Sequence, residues 1–211
     1  MLKQYLKFIF VLCCVLAAWI RFSRRQGSFW IPAALTLALA ADYCFLFSKN
    51  YLMAVGFFCG VQSCYCLVQK PSLPIIRRKA PAGAGILRLL FFWLKGLAGT
   101  GILWLFFSLA GVALDPQSLI AFFYFVCLLC NLFTAGKSGN YWLLSCLILL
   151  FIGDIHVGVY NLHHYLPVAR YTWYQIWWEL STPLIWGFYL PGQLLQTVKM
   201  PEISHPRQKH P

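Results

Sequence analysis

Acidic side chains are scarce: five Asp and Glu occur in 211 residues, and charged residues of both signs make up only 10%. A soluble domain carries about 25% charge, so a water-facing globular surface is excluded. The catalytic signatures of common soluble enzymes are missing as well. There is no nucleophile elbow, no phosphate loop and no dinucleotide fingerprint, and no cofactor is expected. Strict alternation of apolar and polar residues is absent from runs such as Leu143 to Ile152, which argues against a transmembrane β-barrel.

What fills the chain is apolar: 61% of the residues are hydrophobic, against about 45–50% in soluble domains. They arrive in long runs. A helix crosses the hydrocarbon layer with about 20 such residues, and the lipid environment requires the backbone to bond within its own segment. The fold class expected is therefore all-α, a polytopic transmembrane bundle of about seven helices, or eight if segment four divides. The apolar segments span approximately 5–22, 29–48, 51–68, 85–114, 119–134, 141–160 and 173–198, as one membrane domain over 1–198. A polar basic tail covers 199–211. The first run follows Lys3 and Lys7 as a signal peptide would, but it ends in Trp19, Ile20 and Arg21 rather than at a small-residue cleavage site. Segment four carries Arg88 and Lys95 near its start, where both are expected to snorkel toward headgroups; a turn followed by a shorter helix is the alternative. Asp115-Pro116 is read as its end.

The net charge is +12. Its placement in loops fits topology and anionic lipid rather than nucleic acid, which is not expected as a partner. With seven helices, Arg21, Arg24, Arg25, Lys70, Arg77, Arg78, Lys79, Lys137 and the tail share one side, and Lys3, Lys7, Lys49 and Arg170 the other. The positive-inside rule then puts the C-terminus in the cytoplasm. Short loops and the basic tail are consistent with a bacterial cell membrane. The nine cysteines fall inside apolar runs, and Cys127-Leu-Leu-Cys130 has no second pair. They are read as small buried hydrophobes.

Asp42, Asp154 and Glu179 lie within apolar runs. A charge at a membrane-helix centre costs about 2.5–3.5 kcal/mol. Each such side chain should face the bundle interior with a partner, and a functional role is the default reading. A purely structural hydrogen-bonding role stands beside it for the two aspartates. Glu179 reads better as an interfacial ion pair with Arg170. Asn161 stands two turns after Asp154. Gln62 and Tyr65 share a helix face, as do Tyr189 and Gln193. Singly, each is ordinary interhelical glue; together they outline a polar pocket. His156, His163 and His164 lack metal-ligand spacing, and no metal site is expected.

The order of these features resembles the YhhN-like family, the lysoplasmalogenases, over about two stretches. Ala41-Asp42, the turn Lys49-Asn50, then Gly56, Phe58, Gln62 and Tyr65 follow the family's helix–turn–helix. Phe151-Ile-Gly-Asp154 looks like its second Asp, and Tyr189 with Gln193 like its last helix. The chain departs from the pattern with Ala41 for Gly, Gln62 for His and Gly153 for Ser. It also has no early Lys-Pro pair and about seven helices rather than eight. The resemblance implies cleavage of the vinyl ether bond of a lysoplasmalogen-type lipid. Asp42 and Asp154 would then be the acid–base pair, with Gln62, Tyr65, Asn161, Tyr189 and Gln193 positioning water or the head group. One carboxyl must stay protonated, a state that a medium of low dielectric favours. The lipid bilayer and a lipid substrate are the partners this implies. A proton-coupled small-molecule transporter and a non-catalytic membrane protein remain open as alternatives using the same carboxylates.

Overall fold

A computed structural model of the chain describes residues 2–24, 27–69, 83–112, 114–162 and 171–198. These residues hold seven α-helices and no strand. They are α1 (Leu2–Ser23), α2 (Trp30–Tyr43), α3 (Tyr51–Val68), α4 (Ala84–Leu109), α5 (Pro116–Lys137), α6 (Tyr141–Asn161) and α7 (Thr172–Val198). A π turn, Cys44–Ser48, prolongs α2. Six helices are long and apolar enough to cross a membrane, counting α2 through its π turn to Ser48. The exception is α7, which was expected to be a seventh span. It has the length, 27 residues, but carries Gln175, Glu179, Gln193 and Gln196 along with Pro183 and Pro191.

Segment four is a single helix, and it stops at Leu109 rather than at residue 114. Gly111, at φ +76°, ends it. Its N–H donates to the Ser108 carbonyl, and the Val112 N–H to that of Phe107. This Schellman arrangement satisfies carbonyls at the helix end. Asp115-Pro116 does not close α4; it opens α5. The Asp115 carboxylate accepts from the Ser118 N–H at 2.7 Å, completing a capping box, and Pro116 takes the first helical position. Segment five accordingly starts at Pro116 and runs to Lys137, beyond the 119–134 expected.

Packing partners close a ring in the order α1, α2, α3, α5, α6, α7 and back to α1, while α4 lies outside against α3 and α5. Gly96 and Gly99 make that outer contact possible. A Cβ at Gly96 would stand 2.7 Å from the Phe123 ring, and one at Gly99 would stand 2.6 Å from Val126 Cγ1. Small residues of this kind let membrane helices approach closely. The outward face of α4 is apolar and exposed, as at Leu97, Ile102 and Leu105.

Where the medium offers no water, indole N–H groups find partners on neighbouring helices. Trp19 donates to Thr36 Oγ1 at 3.1 Å, Trp93 to Ser63 Oγ at 3.0 Å and Trp142 to the Leu195 carbonyl at 3.0 Å. Arginines cap helix ends. Arg21 donates to the carbonyls of Thr197 and Val198 at the end of α7. Arg88, expected to reach for headgroups, donates instead to the carbonyls of Cys66 and Gln69 at the end of α3. A cation there also complements the negative end of the helix dipole.

Candidate functional site

A set of polar side chains is buried within the ring. Asp42 lies on α2, six residues before Ser48, and is 3% exposed. Its carboxylate accepts from the Tyr189 hydroxyl of α7 at 2.8 Å. Asp154 lies on α6, seven residues before Asn161, and accepts from the Tyr124 hydroxyl of α5 at 2.7 Å. Because α2 and α6 run the same way, the two carboxylates sit at similar depth, about 10 Å from those helix ends at 1.5 Å per residue. Phe58 of α3 stands between the two tyrosines, with ring centroids 5.8 Å from Tyr124 and 6.3 Å from Tyr189. Two Asp–Tyr pairs are thereby joined through three rings.

Toward the opposite end of the ring lies a second polar layer. The Tyr65 hydroxyl donates to Gln196 Oε1 at 2.8 Å, linking α3 to α7. Asn131 of α5 donates through Nδ2 to Gln62 Oε1 at 2.9 Å and to the Gln62 carbonyl at 2.8 Å. Its Oδ1 accepts from Gln69 Nε2 at 3.0 Å. Gln62 of α3 and Gln69, the residue that follows the helix, bracket Asn131.

Of the residues singled out in the sequence, Asp42, Gln62, Tyr65, Tyr189 and Gln193 come together on the interior faces of α2, α3 and α7, and Asp154 approaches from α6. Asn161 does not join them. It sits in the last turn of α6 and donates to its own helix, at the Val157 carbonyl, 2.8 Å away. Glu179 is exposed on α7; Arg170, its expected partner, lies outside the described residues, as do His163 and His164. His156 accepts from Trp177 Nε1 at 3.1 Å and stacks on Phe188. All nine cysteines are free thiols.

Tyr124, Asn131 and Gln196 belong to this interior and were not singled out in the sequence. Tyr124 and Asn131 are seven apart, two turns on one face of α5. Gln196 stands three after Gln193 and seven after Tyr189, on the same stripe of α7. Polar residues at helical spacing within an apolar run were therefore the available signal.

Fold and interior together define a multi-pass membrane protein whose largely apolar core holds a set of buried polar side chains. No family model, no curated protein and no solved structure matches the chain.

Proposed function

We propose that this membrane protein hydrolyses an ether lipid in the interior of its helical ring, cleaving the vinyl ether bond of a lysoplasmalogen-type lipid. The observation that carries the reading is the pair of intramembrane carboxylates, Asp42 and Asp154, each bonded to a tyrosine at similar depth around Phe58. Placing two carboxyl groups in an apolar bundle is expensive, and function is the usual reason. The resemblance of the Asp42, Tyr65, Asp154, Tyr189 and Gln193 pattern to the lysoplasmalogenases supplies the reaction.

The chemistry needs an acid and a stabilising anion. One carboxylic acid transfers its proton to the β-carbon of the vinyl ether, leaving an oxocarbenium ion. The other, ionised, stabilises that cation and orients water. Water adds to the cationic carbon and gives up a proton. The resulting hemiacetal breaks its carbon–oxygen bond, yielding a fatty aldehyde and the glycerophospho head group. The tyrosine hydroxyls hold each carboxyl group in place, and either aspartate fits either role.

In this reading α7 is a seventh span closing the ring. The face carrying Arg21, Arg24, Arg88 and Lys137 is cytoplasmic by the positive-inside rule, and the host is a bacterial cell membrane. Purified protein given lysoplasmalogen should release aldehyde, and Asp42→Asn and Asp154→Asn should each reduce the rate by about 100-fold or more. Release that persists in the double variant sinks the mechanism.

A second reading is a proton-coupled carrier. The link from Tyr65 to Gln196, which extends the polar interior toward the end of α7, favours it. Proton-driven uptake into sealed vesicles, lost on the same substitutions and without aldehyde release, would establish that reading in place of hydrolysis.

A further inference from the structure

Of four buried glutamine atoms without a hydrogen-bond partner among the described residues, Gln69 Oε1 lies at the end of α3, and the other three are Gln62 Nε2, Gln196 Nε2 and Gln193 Oε1. Their side chains are 0%, 0% and 1% exposed, respectively. An orphaned polar atom at such depth is costly, about 1–3 kcal/mol, so three near one another call for an explanation. Their proximity follows from helix register. Phe58 meets Tyr189, and Tyr65 meets Gln196, so α3 and α7 run parallel across the ring with a constant offset of 131 residues. The same offset carries Gln62 onto Gln193. Both lie on the level between the two contacts, four residues after the first and three before the second, on the faces that make those contacts.

Gln62 Oε1 is held by Asn131, and Gln196 Oε1 by Tyr65. The fully buried atoms left unpartnered at this level are thus two amide N–H donors and one carbonyl acceptor. An anion or a carbonyl group has no proton for Gln193 Oε1, and a cation would be repelled by the two N–H groups. A hydroxyl group has one donor and two acceptor sites, and it satisfies all three atoms at once.

We infer that Gln62, Gln193 and Gln196 bind a lipid-borne hydroxyl group, the free hydroxyl on the central glycerol carbon of a single-chain glycerol ether. The inference rests on the reading of the ring as a lipid site and names the substrate group it recognises. The level lies one helical turn, about 5.4 Å, beyond Tyr189, which holds Asp42. In such a lipid this hydroxyl is on the carbon adjacent to the one bearing the ether oxygen. Substrate bonded at both levels would have its ether bond beside the carboxylates.

The test uses a saturated 1-O-alkyl-glycero-3-phosphocholine and its 2-deoxy counterpart, neither of which has a vinyl ether to protonate. Binding to the full chain in nanodiscs is read by tryptophan fluorescence. The hydroxyl-bearing lipid should bind about tenfold more tightly than the deoxy lipid, the scale of one well-made buried hydrogen-bond set. Gln193→Leu should remove that preference while leaving the weaker affinity. Equal affinity for the two lipids in the unaltered protein, as expected if water alone fills the level, would overturn the inference. So would a preference that survives Gln62→Leu with Gln193→Leu. The first comparison needs no variant, so a misfolded substitution cannot decide it. Loss of aldehyde release with the preference intact would remove the proposed hydrolysis and leave this site standing.

Discussion

Asn131 offers the sharpest test of how the interior is held together. Replacing it with leucine keeps the number and branching of the side-chain heavy atoms and deletes three side-chain hydrogen bonds, two to Gln62 and one from Gln69. Interhelical hydrogen bonds within membranes average about 0.6 kcal/mol each, which gives about 2 kcal/mol for the set. Gln62 Oε1 is then stranded inside the ring, where its own Nε2 already lacks a partner, adding at least about 1 kcal/mol. Gln69 Nε2 retains the Asn131 carbonyl at 3.3 Å and contributes little more. Asn131→Leu should therefore cost about 3 kcal/mol, measured by reversible unfolding in mixed micelles with tryptophan emission as the probe. Changing Gln62, Gln69 and Asn131 together to leucine removes the stranded atoms as well as the bonds. The triple variant should be more stable than the single one, because apolar replacement of both partners can be nearly neutral. A loss below about 0.5 kcal/mol for Asn131→Leu, the usual limit for substitutions away from structural features, would refute the reasoning. So would a triple variant that is worse than the single.

Two other substitutions probe the frame around the site. Gly99→Ala places a Cβ 2.6 Å from Val126 Cγ1. Valine in a helix has essentially one rotamer, so α4 must move outward at a cost of about 1–3 kcal/mol, visible in the same unfolding assay. Arg88→Gln removes the guanidinium that donates to the carbonyls of Cys66 and Gln69. It should destabilise the end of α3 by about 1 kcal/mol and speed amide hydrogen exchange in its last turn, leaving α5 and α6 unchanged.

Sequence alone determined the class of protein and nearly all of the helices. Apolar runs of spanning length leave the backbone little choice in lipid, and the turn at Lys49-Asn50 marks where the chain reverses between α2 and α3. It also flagged the carboxylates, because an acidic group in an apolar run is conspicuous by its cost alone. The end of α4 was misplaced because a hydrophobic run does not stop where a helix does. Gly111 ends the helix while the chain stays apolar through Leu114, and the Asp115 signal belonged to the start of α5. The apolar shortfall of α7 was spread over 27 residues, so no single position revealed it.

Only the tertiary structure decided partners. Helical periodicity puts Gln62 and Tyr65 on one face of α3, but which helix that face meets depends on ring order, and ring order is set by side-chain fit such as Gly192 of α7 against Leu149 and Leu150 of α6. Tyr124 and Asn131 looked like any polar residues in an apolar segment until α5 was placed next to α3 and α6. Asn161 shares its helix with Asp154, yet bonds to its own last turn. Spacing along a chain fixes direction around one helix axis; the distance between axes is a property of packing, and hydrogen bonds across the ring exist only once packing has chosen it.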